Sequence, residues 1–325
     1  MKTGMMMISM LGVVLAGASL PLAAQTPAYP ARTVTIVVPF SPGGGTDISA
    51  RMIARHLTEQ TGRPFVVENK PGANGNIGAD LVARAAADGY TLMMGGTSTA
   101  VNASMFRKLP FDTLKAFQGV SIIAVSPTVL AVHNSLPVSS LGDLIDLARK
   151  KPGALNYASG GIGTGNHLAG ELFKHALGLD IVHIPYKGGG PAMNDVIAGH
   201  IPIIWGSMTM TMKHVEAGRL RGLAITGPQR SPAAPGLPSM AEAGYRDAEF
   251  LLWYGLLAPA GTPKEIRDFI ATQVTAALGK AEVRESISSQ GADPLGNSAD
   301  EADRFFRREV DRWVPVVKAA NLYAD

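Results

Sequence analysis

Residues 33–57 read TVTIVVPFSPGGGTDISARMIARHL. The first eight, Thr33 to Phe40, form a β-branched, apolar run suited to a strand buried on both faces. Ser41, Pro42, Gly43, Gly44, Gly45, Thr46 and Asp47 then make a turn, after which Ile48, Met52, Ile53 and Leu57 recur at helical spacing. Asp47 reads as the N-cap of this helix and Gly62 as its stop. Strand, glycine turn and helix in that order mark the start of a mainly parallel sheet covered by helices.

The unit repeats outward from there. Phe65 to Glu68 reads as a second strand, Ile77, Leu81, Val82 and Ala85 line a second helix, and Tyr90 to Met94 is a third strand. A second series begins with a strand at Val129 to Val132. Ser140 and Asp143 form a capping box, Leu155 to Ala158 is a strand, and the glycine-rich turn Gly160 to Gly165 leads into a helix from His167 to Leu177. Short strands follow at Ile181 to Pro185, Ile201 to Trp205 and Leu223 to Thr226, and the proline-rich stretch 231–238 reads as loop. Thr262, Pro263 and Glu265 look like N-cap, first helical residue and capping-box partner. Ser298 with Glu301 opens the last helix, where Phe305, Phe306, Val310, Trp313 and Val317 face inward and Pro315 is expected to kink the axis. The expected fold is α/β with two lobes and a mixed, mainly parallel sheet in each. Crossings near Val125 and Trp253 give residues 29–125 plus 254–325 as lobe 1 and residues 126–253 as lobe 2.

Lys2, an apolar run from Ile8 to Leu22 and small residues at Ala23 and Ala24 have the layout of a secretory signal peptide over residues 1–24. Cleavage after Ala24 would place the mature chain in the periplasm. The 325 residues contain no cysteine, so no disulfide and no thiol-linked lipid is possible, and a chain of this length buries adequate cores without them. The net charge of +3 comes from scattered residues with no basic run interleaved with aromatics, which argues against nucleic acid as a partner. Seven dispersed histidines and the lack of His-Glu-x-x-His argue against a metal site, and no cofactor is expected. The expected assembly is a monomer.

The two glycine turns are the candidate site. Glycines at 43, 44 and 45 let backbone N–H groups converge on an anion at a helix start, where the dipole favours negative charge. Gly160, Gly161, Gly163 and Gly165 repeat the device, with Ser159 and Thr164 adding hydroxyls, so the two turns facing one another would grip a carboxylate from opposite lobes. The bland alternative for each is a tight strand-to-helix turn. His167 is either a ligand donor or a helix-start histidine satisfied by its own backbone. Thr97, Ser98 and Thr99 are candidate rim donors or surface hydroxyls, Tyr186 precedes Lys187, and Trp205 either stacks on a flat ligand or fills the core. Phe40 and Ser207 complete the set, with no catalytic residue in it.

Several fragments together carry a resemblance. They are Val38-Pro39-Phe40-Ser41-Pro42-Gly43-Gly44-Gly45-Thr46-Asp47, Val67-Glu68-Asn69-Lys70-Pro71-Gly72-Ala73, Asp88-Gly89-Tyr90-Thr91-Leu92 and Leu155-Asn156-Tyr157-Ala158-Ser159. His167-Leu168-Ala169-Gly170-Glu171-Leu172-Phe173, His183-Ile184-Pro185-Tyr186-Lys187-Gly188 and Tyr254-Gly255-Leu256-Leu257-Ala258-Pro259-Ala260-Gly261-Thr262-Pro263 continue it. In this order and spacing the chain resembles the Bug family, the extracytoplasmic solute receptors of tripartite tricarboxylate transporters. The resemblance implies a Venus-flytrap receptor that binds a small carboxylated solute between its lobes and hands it to membrane subunits of the transporter. One departure bears on the ligand. Where the family usually shows Phe-Asp-Asn, this chain reads Trp205-Gly206-Ser207, which favours a plain or aromatic carboxylate over an acidic amino acid.

Two enzyme readings compete. Gly43 and Gly45 after a strand, with Glu68 closing the next one, approach a dinucleotide fingerprint, but Ile48 stands where helix–strand packing needs Gly or Ala. Gly96-Thr97-Ser98-Thr99-Ala100 approaches a serine-hydrolase elbow and fails at its last position.

Overall fold

The computed structural model describes residue 1 and residues 29–42, 45–186, 189–289 and 291–324. The expected leader, Gly43, Gly44, Lys187 and Gly188 lie outside the described residues. The first half runs β1 (Val34–Val38), α1 (Gly45–Thr61), β2 (Phe65–Asn69), α2 (Asn76–Ala83), β3 (Thr91–Gly96), α3 (Thr97–Met105), α4 (Thr113–Ala116) and β4 (Phe117–His133). Next come α5 (Leu141–Lys150), β5 (Leu155–Ser159), α6 (Gly165–Leu177), β6 (Ile181–Pro185), α7 (Gly189–Ile197), β7 (Ile203–Ser207), α8 (Met208–Glu216) and β8 (Leu220–Ile225). The chain closes with β9 (Leu251–Pro259), α9 (Lys264–Leu278), α10 (Ala281–Ser288), β10 (Asp293–Pro294) and α11 (Ala299–Ala319).

Strand alternation sorts the apolar residues onto two faces. In β1, Val34, Ile36 and Val38 enter one core with Ala50, Ile53 and Leu57 of α1, while Val37 points into another with Ala79 and Val82 of α2. Helices therefore cover both faces. In the second half, Val129, Ala131 and Ile204 join Ala192, Met193 and Val196 of α7, whereas Leu130, Val132 and Ile203 face Leu168 and Phe173 of α6. The C-terminal α11 lays Phe306, Val310, Trp313 and Val317 into that second, longer core.

The strands follow the order β2-β1-β3-β9-β4-β7-β5-β6, with β8 and β10 also paired to β4. β1 pairs in parallel with β2 and β3, and β5 with β6 and β7. Every antiparallel pairing among the described residues involves β4 or β9, the two long strands at the centre. The sheet is thus mixed, with its parallel character confined to the outer strands of each lobe.

Two expected helix starts are shifted. Helix α1 begins at Gly45, so Asp47 lies in its first turn rather than at its cap. Its carboxylate takes Arg51 Nε at 3.0 Å and Asn69 Nδ2 at 2.9 Å, tying α1 to the end of β2. Helix α9 begins at Lys264 with Pro263 at the cap position, because the Thr262 hydroxyl donates to Pro259 O instead. The capping boxes at Ser140 and Ser298 form as expected. Pro315 sits inside α11 without ending it.

Candidate ligand-binding site

A cavity of about 380 Å³ lies where α1, the β4–β9 crossing and the start of α8 meet. Gly45, Ile48, Ser49 and Met52 line it from α1, a set spaced along one helical face. Leu252 and Tyr254, two apart on β9, line it from the sheet together with Ala124 and Ser126 of β4. Ser207 and Thr209 contribute from the start of α8, and Ile287 and Ala292 close the far side. Among the described residues the lining holds five hydroxyl side chains and no charged one.

Two helix N-termini meet this cavity, α1 through Gly45 and α8 through Ser207. The first N–H groups of a helix lack partners four residues back, and its dipole places partial positive charge at that end. Ser207 occupies the α8 cap position without spending its hydroxyl on the helix. The Ser126 hydroxyl, by contrast, is committed to Gly291 O at 2.8 Å. An uncharged, hydroxyl-rich wall between two helix starts can accept an anion without a lysine or arginine.

The expected residues divide around this cavity. Gly45 and Ser207 line it. Ser41 and Pro42 are exposed just before α1, Thr46 is half-buried in its first turn, and Phe40 packs against Gly75. The turn from Ser159 to His167 is not among the lining residues and is largely occupied with itself. Ser159, fully buried, accepts from Gly161 N at 3.1 Å and meets His183 Nε2 at 2.6 Å; the Thr164 hydroxyl donates to Gly161 O. His167 Nδ1 accepts from Gly163 N at 3.1 Å, so this histidine is satisfied by its own turn. The rings of His167 and His183 lie tilted with centroids 4.0 Å apart, and burial first, then a neighbouring positive charge, pulls both pKa values down to about 4. Gly160 is half-buried in the same turn. Gly163 abuts Asn74 and Met105, and Gly165 abuts Leu252.

Three further expectations meet a physical obstacle. Trp205 is fully buried against Tyr157 and Phe173, leaving no ring face for a flat ligand. Thr97 is buried and its hydroxyl accepts from Trp253 N, which removes it from the rim, while Ser98 beside it is half-buried. Tyr186 donates its hydroxyl to Asp195 at 2.6 Å. Sequence reasoning passed over Ser49, Thr209, Leu252 and Tyr254. The alternation Leu252, Tyr254, Leu256 on a strand through the crossing was the available signal.

The family described as "Tripartite tricarboxylate transporter family receptor" matches residues 49–322, from the first turns of α1 to beyond α11. The chain belongs to the TctC family. BugT of Bordetella pertussis is 36% identical over 314 residues, covering 96% of each chain. A solved R. palustris protein with adipate is 39% identical, with a TM-score of 0.76 over 90% of this chain and 98% of its own. MatC from Rhodopseudomonas palustris with bound malate is 30% identical, with a TM-score of 0.72 over 89% of this chain and 100% of its own. This TctC-family chain is therefore a solute-binding receptor with the two-lobed binding-protein fold, in a family that does not catalyse reactions. No helix among the described residues is long and apolar enough to cross a membrane.

Proposed function

We propose that this receptor captures a small linear dicarboxylate, unchanged, in the cavity between α1 and α8, in the periplasm, for delivery to membrane subunits of a tripartite tricarboxylate transporter. The observation that carries the reading is the pair of helix N-termini on one uncharged cavity. Each offers partial positive charge and backbone donors at a helix start, which suits a solute with an anionic group at each end. Ile48, Met52, Leu252 and Ile287 suit the methylenes between them. Adipate and malate in the related structures fall in the same chemical class.

In this reading residues 29–125 plus 254–325 form one lobe and residues 126–253 the other. The turn 41–46 is the first carboxylate seat. The turn 159–164, which does not line the cavity and whose hydroxyls are internally bonded, would reach the solute through its backbone as the opposite jaw only when the lobes close. Isothermal titration with adipate, malate, glutamate and hexanoate tests it. A diacid is expected to bind with micromolar affinity, about −8 kcal/mol, and hexanoate and glutamate at least about tenfold more weakly. Failure of every diacid, or equal binding of the monoacid, overturns the proposal. Mass spectrometry of the recovered solute checks that it is unaltered.

A further inference from the structure

We infer that the Tyr254 hydroxyl donates to the bound solute's carboxylate, and that residue 45 is glycine so that this hydroxyl can stand over the start of α1. The inference rests on the dicarboxylate reading of the cavity. Tyr254 sits on β9, opposite Gly96 of β3 and Ala124 of β4, with its ring packed on the core that holds Leu256. Its hydroxyl reaches the first residue of α1. A Cβ on Gly45 would fall 2.6 Å from Tyr254 Oη and 3.1 Å from Cζ, so any larger residue there displaces the phenol.

The hydroxyl has no hydrogen-bond partner among the described residues. That sets it apart from Tyr29, which donates to Gly89 O, Tyr157, which donates to Glu171, and Tyr186, which donates to Asp195. Tyr254 is half-buried, so this hydroxyl stands on the cavity wall with its donor open to a ligand. No hydroxyl on the cavity wall accepts from it among the described residues, and the first turn of α1 presents N–H donors rather than acceptors. A carboxylate oxygen at the α1 terminus satisfies both sets of donors at once. Burial raises the Tyr254 pKa, which keeps the phenol protonated and donating at neutral pH.

Titration of adipate into wild type, Tyr254→Phe, Gly45→Ala and the double variant tests the inference. Tyr254→Phe should weaken binding about tenfold, the scale of one hydrogen bond to a charged group, with an unchanged thermal midpoint in the absence of solute. Gly45→Ala should weaken it at least as much, and the double variant should bind no worse than Gly45→Ala alone, because both changes remove the same contact. Tyr254→Phe binding within about twofold of wild type, or fully additive losses in the double variant, overturns the inference while leaving the receptor reading intact. Wild type that binds neither adipate nor malate defeats the cavity reading itself, and the inference with it.

Discussion

Gly206 shows how one position can shape a receptor. A Cβ there would lie 1.9 Å from Thr211 Oγ1, and Thr211 is fully buried with that oxygen unpaired. Helix α8 therefore packs onto β7 through the space that any side chain at 206 would fill. Gly206→Ala should destabilise the fold by about 1–3 kcal/mol through overpacking, measured as a lower urea midpoint. Adding Thr211→Ala, which removes the obstructing oxygen, should restore most of the loss. The absence of any effect from Gly206→Ala would show that α8 shifts freely. Whether an adjacent residue such as Trp205 faces solvent or core was not readable from sequence, since a strand residue's exposure depends on what its neighbours bring. Here Tyr157 and Phe173, distant in sequence, enclose it.

At the scale of elements, local signals were the readable ones. The Ser298 box forms with Glu301 Oε2 accepting from Ser298 N at 3.0 Å and the Ser298 hydroxyl accepting from Glu301 N at 3.4 Å. Ser298→Ala should cost about 1 kcal/mol, seen as a lower thermal midpoint, with solute affinity unchanged because α11 does not line the cavity. A change in affinity at equal stability would contradict that separation. The strands that sequence reading missed are the ones that organise the molecule. β4 runs for 17 residues where only Val129 to Val132 was expected, and β9 was not expected as a strand. Ser121, Ser126 and Pro127 interrupt the apolar run of β4, and proline is a poor fit to a central strand. The interruptions fall at the bulged crossing and beside the cavity, where Ser126 has a structural partner of its own. The glycine turn before α1 was legible because its residue types carry their own geometry. The companion role of Tyr254 was not, because it depends on β9 lying beside α1.

Across the whole molecule, the paired histidines couple folding to pH. His167 and His183 face Glu171, Lys174 and Tyr157, and both are held neutral with pKa values near 4. An unfolded histidine titrates near 6.5, so between about pH 6.5 and 4 the unfolded chain binds more protons than the folded one. Stability should be full above about pH 6.5 and fall as pH drops toward 4. The expected loss is about 3 kcal/mol from His167 and less from the more exposed His183. Urea midpoints at pH 7.5, 5.5 and 4.5 test this, and His167→Asn should flatten the trend. A midpoint that rises as pH falls, or a slope unaltered in that variant, would count against the two rings as its source.

The register of the central strands has a mechanical consequence. Val125 of β4 stands directly opposite Trp253 of β9, within one ladder that runs from Phe117–Pro259 to Pro127–Leu251. In the proposed two-lobe reading, bringing the halves together would twist this bulged ribbon of backbone hydrogen bonds, since the connections are themselves sheet. A ribbon deforms elastically, and its restoring force grows with the angle through which it is wound. A solute that lets the jaws meet fully offsets that recoil with contacts at both ends. In the proposed reading, a solute of the wrong length would leave the ribbon wound without that offset, and the stiffness of two strands would then add to the selection made by the walls of the cavity.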